Sequence, residues 1–488
     1  MTYKTLTYNQ SLSLLTDLYQ LTMAYGYWES KTDDKEAVFH LYFRKNPFQG
    51  GYTVSCGLDY VIDFLENFSF SNDDIEYLSS LKGNDNEPLF KKEFLKYLSD
   101  LKFTCDVDAI PEGTVVFPNE PLLRIKGPLV QCQLLETALL NIINFQTLIA
   151  TKASRVVLAT KGEQVLEFGL RRAQGIDGGL AASRASYIGG CSATSNVLAG
   201  KIFNIPVRGT HAHSWIMSFD NELEAFNTYA QAMPNNCVFL VDTYDTLEGV
   251  KKAVEVGKKL KDKGYKMAGI RLDSGDLAYL SIEARKILDE NGFNETAIVG
   301  SNDLDETIIS SLKDQGAKIN IWGVGTKLVT AFDQPALGGV YKLAAIRKPN
   351  QDWEHRIKLS EQTIKVSTPG IQQVRRFYSD TENLGDMIYD TNTNFSENII
   401  IDPLDLTRRK SFDEKVKFTD LLIPIFKNGQ RVYNSPDIHY LRDITMKNLD
   451  KFYSGIKRFV NPHQYPVGLE KNLYDLKTEL ILKLRQKK

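Results

Sequence analysis

The sequence has few cysteines, little net charge and no long apolar run. Its five cysteines among 488 residues stand singly, without a CxxC pair, which excludes a disulfide framework or zinc knuckle and fits a reducing, cytoplasmic compartment. Fifty-nine basic and 61 acidic residues give a net charge of −2, so the sequence lacks the positive charge that attracts nucleic acid or anionic membranes. We therefore expect neither nucleic acid nor a membrane as a partner.

The most apolar stretch, residues 134–150, contains Glu136, Asn141, Asn144 and Gln146. It is too short and too polar to span a bilayer and predicts a buried amphipathic helix. The amino end lacks the charged-then-apolar pattern of a signal peptide. What the chain does have is 42% hydrophobic and 25% charged residues, which is typical of an ordinary globular protein.

Two sequence patterns divide most of the chain. Residues 1–135 combine helical stripes with short β-branched runs cut by proline and glycine, which predicts an α+β domain. In residues 136–350, short apolar runs recur with amphipathic segments between the later ones, which is typical of parallel strands covered by helices. The runs are 164–168, 189–192, 206–210, 238–242, 268–273, 297–301 and 320–324. Seven such runs favour an α/β fold with a closed or nearly closed, TIM-like barrel; a doubly wound sheet is the alternative.

The last part of the chain, residues 351–488, carries two strand-like runs at 364–366 and 374–377, separated by the turn pair Pro369-Gly370. We expect this segment to return and pack on the N-terminal domain, so that the α+β domain is built from both ends of the chain. The basic run Arg408-Arg409-Lys410 receives no role, because a solvated charged run is its ordinary interpretation.

Polar side chains follow the predicted strands at the ends that meet on one face of a barrel. His211 and His213, with the hydroxyls of Thr210 and Ser214, follow the third run, and in an extended chain side chains two apart share a face. The other strand ends carry Glu167-Phe168, Ser192, Asp242-Thr243-Tyr244, Arg271-Leu272-Asp273-Ser274-Gly275-Asp276, Ser301-Asn302-Asp303 and Gly323-Val324-Gly325-Thr326. Helix capping explains a single Ser or Asp at such a position, but seven polar ends together predict a site.

These strand ends offer several kinds of binding group. Gly323-Val324-Gly325-Thr326, at the last strand, predicts a phosphate site, although a tight strand–helix turn is equally compatible. Asp242 and Asp273 provide the oxygen ligands that Mg²⁺ prefers. Arg271 offers a guanidinium group for carboxylate or phosphate, and Phe168 is either a stacking platform or a core residue. The set suits a phosphorylated anionic sugar that reacts with an aromatic acid.

Four motifs in register resemble the nicotinate phosphoribosyltransferase family. They are LTDLYQLTM at 15–23, EFGLRRAQG at 167–175, GTHAHS at 209–214 and RLDSGD at 271–276, and the likeness continues to residues 461–465. The resemblance implies a type II phosphoribosyltransferase with an irregular α/β barrel, a split α+β domain and a homodimer with shared active sites. It implies a ligase-type reaction of nicotinate with 5-phosphoribosyl 1-diphosphate that gives nicotinate mononucleotide and diphosphate, coupled to ATP hydrolysis. This reaction begins NAD salvage from nicotinic acid.

The resemblance also implies residue roles by matched position. His213 is similar to the histidine that ATP phosphorylates in the family. Tyr19 of the partner subunit and Phe168 resemble the two aromatic residues that enclose the nicotinate ring. Thr210 and Arg271 resemble the residues that bind the nicotinate carboxylate.

The phosphate and metal ligands are matched in the same way. The segment 323–326 resembles the 5′-phosphate site, and Arg171 resembles a diphosphate ligand. Asp242 and Asp273 would hold ribose hydroxyls or the waters of Mg²⁺. The predicted binding set is completed by Ser214, Ser274 and Gly275, which lie in the matched motifs. His211 falls where the family varies and receives no role.

Two absences bear on the rival functions. Some family members carry a cysteine-rich metal knuckle late in the chain, but no cysteine follows Cys237 here, so no structural zinc is predicted. Nicotinamide-using relatives would be expected to place an acid in the pocket, whereas the stretch Gly190-Cys191-Ser192-Ala193-Thr194 has none, which favours nicotinate. The decarboxylating quinolinate enzyme, the other rival of this class, is a shorter chain and needs further cationic groups for a second carboxylate.

Two rivals come from other classes. A barrel glycosidase could use Asp242 and Asp273 as its carboxylate pair, but it would not need the glycine-rich segment at 323–326. A non-enzymatic barrel that serves only as a binding or structural module would lack polar side chains at some of the strand ends. The sequence has polar side chains at all of them.

Overall fold

The structure, a computed structural model, describes residues 12–394 and 397–486. Its helices are α1 (Leu18–Glu29), α2 (Leu58–Glu66), α3 (Asn72–Ser80), α4 (Lys92–Asp100), α5 (Leu129–Leu134), α6 (Glu136–Ala159), α7 (Gly175–Ile188), α8 (Val197–Phe203), α9 (His213–Met217), α10 (Glu222–Ala232), α11 (Thr246–Asp262), α12 (Leu277–Glu290), α13 (Glu306–Asp314), α14 (Thr326–Val329), α15 (Ile438–Asp450) and α16 (Lys471–Gln486). Its strands are β1 (Glu36–Tyr42), β2 (Thr53–Val54), β3 (Asp106–Ala109), β4 (Val115–Val116), β5 (Leu123–Pro128), β6 (Gln164–Glu167), β7 (Ala193–Thr194), β8 (Val238–Leu240), β9 (Gly269–Leu272), β10 (Ala297–Gly300), β11 (Ile321–Val324), β12 (Val340–Arg347), β13 (Glu354–His355), β14 (Gln372–Tyr378), β15 (Asn383–Asp390), β16 (Ile399–Ile401), β17 (Arg409–Ser411), β18 (Lys417–Asp420), β19 (Ile423–Lys427), β20 (Gln430–Arg431) and β21 (Val467–Leu469).

The chain forms two compact units. Unit 1 comprises Met1–Leu148, Ala336–Asp437 and Ile444–Lys488, and unit 2 comprises Ile149–Pro335 and Ile438–Asp443. These limits differ from the predicted boundaries at 135/136 and 350/351. The difference at the second boundary arises because β12, inside the predicted barrel segment, pairs with β1 in unit 1.

Unit 1 contains three β-sheets. The largest has seven antiparallel strands in the order β13-β12-β1-β5-β3-β19-β20. Its inner strand β1 is buried from Ala37 to Tyr42, as expected for a strand covered on both faces. The second sheet has the order β17-β16-β21-β15-β14-β18, and the third is the pair β2-β4. The predicted strand at 374–377 is confirmed as part of β14, whereas Thr363–Lys365 forms a 3₁₀ turn, so that predicted strand is wrong.

Unit 2 is built on a parallel sheet of six strands in the order β7-β6-β11-β10-β9-β8. Apolar side chains of these short strands are buried, since helices cover a parallel sheet on both faces. Asp245, Asp276 and Asp305 accept hydrogen bonds from backbone N–H groups at the starts of α11, α12 and α13. The predicted alternation of parallel strands and helices is confirmed.

Two of the seven predicted strands differ from the structure. The strand predicted at 189–192 lies instead at Ala193–Thr194, and the run at 206–210 makes only a single bridge, from Val207 to Thr194. Pro206 has no N–H to donate, and α9 begins soon after this segment, at His213. Within the described residues the strand ladder ends at β7 and at β8, so a closed TIM-like barrel is not shown.

The apolar stretch at 134–150 lies mainly in α6, with buried Leu139, Ile143 and Ile149, as predicted for an amphipathic core helix. Among the residues that the structure describes, no helix has the length and apolarity needed to cross a membrane.

Candidate active site

Arg271, on β9, joins the ends of three strand regions. Its Nε donates to Ser301 Oγ at 2.8 Å, and its Nη2 donates to Asp273 Oδ1 at 2.8 Å. Its Nη1 lies 3.5 Å from Thr210 Oγ1, at the limit of hydrogen bonding. The guanidinium carbon also lies 5.6 Å from the centre of the Phe168 ring. A fork held by three side chains has a fixed orientation, which suits it to bind a planar anion.

Asp242 and Asp273 form an acidic pair at the ends of β8 and β9. Asp242 Oδ2 accepts hydrogen bonds from the Asp273 N–H at 2.8 Å and from Ser274 Oγ at 2.7 Å. The other oxygen of Asp242, Oδ1, is buried without a hydrogen-bond partner among the described residues. Burial opposes ionisation of Asp273, but the Ser301 hydroxyl and the Arg271 guanidinium outweigh it and keep the Asp273 pKa below its ordinary value.

His213, the first residue of α9, faces this pair. Its Nε2 lies 3.6 Å from Asp273 Oδ2 and 3.9 Å from Asp242 Oδ1. Its Nδ1 lies 3.1 Å from Thr243 Oγ1. The carboxylates favour a proton on Nε2, which leaves Nδ1 with the lone pair that accepts from the Thr243 hydroxyl.

His211 does not share this environment, so the expectation that both histidines point the same way is wrong. The chain is not extended here, because His213 already belongs to α9. His211 is buried, and its Nε2 accepts a hydrogen bond at 3.3 Å from the N–H of Leu240 in the edge strand β8. Burial lowers the pKa of His211 to about 4, which keeps the ring neutral and able to accept. The His211 side chain thus connects the segment 206–212 to β8 by a hydrogen bond.

A cavity of about 300 Å³ lies beside Arg271 in unit 2. Its lining residues are Phe168, Leu170, Arg171, Ser195, Gly209, Thr210, His211, Ala212 and Arg271. Four predicted site residues, Phe168, Arg171, Thr210 and Arg271, therefore meet around one space. The cavity combines an aromatic face, a hydroxyl and guanidinium groups, which are the groups needed to hold an aromatic carboxylate.

The glycines after β11 have a packing role that the sequence did not reveal. A Cβ on Gly323 would lie 2.7 Å from Cδ2 of Phe168, and one on Gly325 would lie 3.2 Å from the Phe168 carbonyl oxygen. Larger residues there would displace Phe168 from the cavity. Thr326 begins α14 directly after these glycines.

The remaining predicted residues are more exposed. Ser274 is exposed beside Asp242, and Gly275 has a φ of +76°, a conformation that favours glycine. Ser214 is exposed on α9, after His213. Tyr19 lies in unit 1, on α1, where its side chain is 47% exposed.

Three residues of this region had no predicted role. Ser301 and Thr243 were noted only as strand-end polar residues, although they contact Arg271 and His213. Ser195 lies in the cavity wall, one residue beyond the stretch Gly190–Thr194, because β7 starts later than predicted. In unit 1, burial, assisted by the positive charges of Lys358 and Arg44, lowers the pKa of Lys342 against the opposing negative charge of Glu136. Among residues 12–394 and 397–486, no group of three or more His, Cys, Asp or Glu side chains is arranged to hold a metal ion.

Comparison with known proteins matches three parts of the chain to the nicotinate phosphoribosyltransferase (NAPRTase) family: its N-terminal domain at residues 14–144, the family itself at 164–365 and its C-terminal domain at 371–477. A protein of Bacillus subtilis named nicotinate phosphoribosyltransferase is 45% identical over 484 residues, covering 98% of this chain and 97% of the relative. The crystal structure of human nicotinic acid phosphoribosyltransferase matches with a TM-score of 0.82 at 31% identity, covering 95% of this chain and 99% of that one. A nicotinate-nucleotide pyrophosphorylase from Pyrococcus furiosus, with a TM-score of 0.69 at 22% identity over 90% of this chain and 96% of that one, shares the fold.

Proposed function

Because the chain belongs to the nicotinate phosphoribosyltransferase family, we propose that it joins nicotinate to 5-phosphoribosyl 1-diphosphate and releases nicotinate mononucleotide and diphosphate. The observation that carries the proposal is the Arg271 guanidinium, fixed by Ser301 and Asp273 beside Thr210 and Phe168 in one cavity. In this proposal the enzyme also hydrolyses ATP, which makes it a ligase-type enzyme of NAD salvage.

Nicotinate would bind with its ring on Phe168 and its carboxylate toward Arg271 and Thr210. The preference for the acid over the amide rests on this charged end of the cavity, since nicotinamide offers no anion to the guanidinium. Ser195, on the cavity wall, is neutral and provides no carboxylate to accept an amide N–H. This composition supports nicotinate rather than nicotinamide as the substrate.

The bond-forming step needs no general base. The pyridine nitrogen attacks ribose C1 with its own lone pair, and the C1–O bond to diphosphate breaks with its electrons leaving on oxygen. Positive charge develops on the ribose ring, and carboxylates at Asp242 and Asp273 would stabilise it or bind the ribose hydroxyls. The cavity residues contribute by holding the nitrogen in line with C1.

The orphaned buried oxygen of Asp242 fits a Mg²⁺ site. Asp242 and Asp273 supply oxygen ligands only, and two carboxylates suit an ion that keeps waters and substrate phosphates in its shell. When bound, Mg²⁺ would neutralise negative charge on the diphosphate leaving group. We place the 5′-phosphate at Gly323, Gly325 and Thr326, and diphosphate near Arg171.

ATP coupling would run through His213. With Nε2 protonated beside the two carboxylates, Nδ1 is the nucleophile: its lone pair attacks the γ-phosphorus of ATP, and ADP leaves with the electrons of the broken P–O bond. Hydrolysis of the resulting phosphohistidine returns the free imidazole and phosphate. The phosphoryl group adds about two negative charges beside the phosphate-binding groups and so changes their affinity for substrate and product.

A homodimer with shared active sites is the proposed assembly. Leu15, Leu18, Tyr19 and Met23 leave an apolar patch exposed on unit 1, with between 41% and 54% of each side chain accessible. An apolar patch of this kind is typical of a surface that another protein covers. In this arrangement Tyr19 of unit 1 would serve the site of the partner subunit.

The proposed reaction is tested by measuring diphosphate release from 5-phosphoribosyl 1-diphosphate and Mg²⁺ with nicotinate or nicotinamide, each with and without ATP. We expect release with nicotinate, stimulated by ATP, and at least about a hundredfold lower kcat/KM with nicotinamide, because a charged site rejects a neutral analogue. Release with nicotinamide alone would contradict the proposed acid pocket, and release with neither would contradict the proposed reaction.

Shared sites are tested by mixing two impaired variants, Tyr19→Ala and Asp242→Ala. Mixed dimers would contain one site with both residues intact, so random exchange should restore about a quarter of the wild-type activity. Mixing Tyr19→Ala with Arg208→Lys, whose site residues are all intact, should leave half of the sites active with or without exchange, so any departure from half would reveal an effect of mixing itself. No recovery in the first mixture, with exchange verified by mass, would mean that Tyr19 acts within its own chain or has no role in the site.

A further inference from the structure

We propose that Glu167, the last residue of β6, is a positioning residue that fixes three walls of the nicotinate cavity. The inference rests on the proposed function, because it assigns to Glu167 an effect on nicotinate binding. Glu167 is part of the motif at 167–175, but neither spacing nor composition gives it a role. Its side chain is buried, with 1% of the residue accessible, so its action must pass through its neighbours.

The carboxylate of Glu167 accepts hydrogen bonds from three different segments. Oε1 accepts from the backbone N–H of Gly169. Oε2 accepts from Ser183 Oγ at 2.9 Å and from Thr194 Oγ1 at 2.6 Å. These donors lie on the turn after β6, on α7 and on β7, so one side chain ties three elements together.

The first wall held in this way is Phe168. It lies between Glu167 and Gly169, so the bond from the Gly169 N–H closes a tight turn around it. The N–H of Phe168 donates to Val324 O at 2.8 Å, which fixes the other side of the turn. The ring position that Gly323 and Gly325 accommodate is therefore also set by Glu167.

The second and third walls are held through Thr194. The next residue, Ser195, donates its N–H to the Glu167 carbonyl at 2.9 Å and lines the cavity. Thr194 itself accepts a hydrogen bond from the N–H of Arg208 and donates its own N–H to Pro206, each at 3.0 Å. The segment that leads to Gly209 and Thr210 is thus attached to the residue that Glu167 binds.

Loss of the carboxylate should loosen the cavity rather than remove a substrate contact. In Glu167→Ala the Gly169 N–H and the Thr194 hydroxyl lose their acceptor in a buried region, and the walls lose their common anchor; the Ser183 hydroxyl keeps the Gly179 carbonyl at 2.9 Å as an acceptor. Since nicotinate binding depends on the spacing of those walls, we expect its KM to rise about tenfold or more while the KM for 5-phosphoribosyl 1-diphosphate stays within about threefold.

The conservative variant Glu167→Gln should rescue binding. Its amide oxygen can accept from the Gly169 N–H, and its amide N–H groups can donate to the hydroxyls of Ser183 and Thr194, which accept as well as donate. We therefore expect the nicotinate KM of Glu167→Gln to stay within about threefold of the wild-type value.

Glu163 provides a matched control just before the start of the same strand. Its Oε2 accepts from Trp322 Nε1 at 2.7 Å, and its Oε1 pairs with Lys313 Nζ at 2.8 Å. Glu163→Ala should lower the melting temperature as Glu167→Ala does, because it too leaves a buried donor unpaired. It should leave the nicotinate KM unchanged, since Glu163 lies at the end of β6 away from the cavity.

The experiment measures KM for both substrates, kcat and melting temperature for wild type, Glu167→Ala, Glu167→Gln and Glu163→Ala. A nicotinate KM raised in Glu167→Ala alone supports the inference. Equal KM changes in the two alanine variants, a parallel rise in both substrate KM values, or an unchanged KM in Glu167→Ala would overturn it. Absence of nicotinate turnover in the wild-type protein would instead overturn the proposed function, so the two failures are distinguishable.

Thr194→Val decides the question if Glu167→Ala does not fold. The isosteric substitution removes one hydroxyl donor to Glu167, together with the acceptor of the Asn196 N–H, and keeps the shape of the side chain. We expect a nicotinate KM raised about threefold to tenfold with little change for the other substrate. A wild-type nicotinate KM in this variant would overturn the inference.

Discussion

Replacing His213 with alanine is expected to leave a slow synthesis of nicotinate mononucleotide that ATP no longer stimulates. The proposed step at ribose C1 needs no proton transfer from or to His213, because the pyridine nitrogen already carries its nucleophilic lone pair. Its contacts are compatible with the proposed phosphoryl transfer: Nε2 lies 3.6 Å from Asp273 Oδ2, and Nδ1 lies 3.1 Å from Thr243 Oγ1. Without the imidazole, the reaction step at C1 remains and its coupling to ATP is lost.

The measurement is the initial rate of diphosphate release with and without ATP, together with ATP hydrolysis in the same samples. In His213→Ala the ratio of the two rates should fall to about one, and nicotinate-dependent ATP hydrolysis should disappear. Thr243→Val, which removes the partner of Nδ1 and keeps the histidine, should retain part of the stimulation. Undiminished ATP stimulation in His213→Ala would exclude a phosphohistidine at this position.

Replacing Arg271 with lysine is expected to lower kcat/KM for nicotinate by about a hundredfold, which corresponds to about 2.7 kcal/mol. Lysine keeps the positive charge, but its single ammonium group cannot reproduce a planar fork that reaches Ser301, Asp273 and Thr210 together. The carboxylate of nicotinate would then meet a cation whose direction is no longer fixed, and Asp273 would lose a bond from Nη2.

Steady-state kinetics with nicotinate and nicotinamide check this prediction. The preference for nicotinate should shrink in Arg271→Lys, since the acid loses more binding energy than the amide. The control is Arg208→Lys: Arg208 is exposed in the segment before Thr210, and its Nη1 donates to the neighbouring Val207 carbonyl, away from the Arg271 network. If both lysine variants retain wild-type preference, the carboxylate does not bind at Arg271.

The clustering of Asp242, Arg271, Asp273 and Ser301 could be predicted from the sequence alone. Each follows or ends a short apolar run, and parallel strands bring their carboxyl ends to one edge of a sheet whatever their exact order. Errors of one or two residues in a strand boundary do not move a residue away from that edge. This tolerance explains why the Asp242–Asp273 pair is found together although β8 and β9 are shorter than predicted.

Predictions that depended on exact register were less successful. The sequence places the position of a nicotinamide-selecting acid within Gly190–Thr194, but β7 begins at Ala193 and Ser195 lies in the cavity wall. The pair His211 and His213 was assigned one face because an extended chain alternates, whereas α9 begins at His213. In both cases the local sequence pattern did not specify where the element starts. The start of β7 and the start of α9 depend on how neighbouring segments pack.

By itself the sequence determined the family, the alternation of parallel strands with helices in unit 2, and the set of polar strand ends that can form a site. Those properties follow from short-range patterns and from motifs that are read in order along the chain. Only the tertiary structure decided that Glu167 anchors three walls, that Gly323 and Gly325 make room for Phe168, and that His211 bonds to Leu240. These are contacts between segments distant in sequence, and their geometry depends on how whole elements pack, which no local pattern specifies.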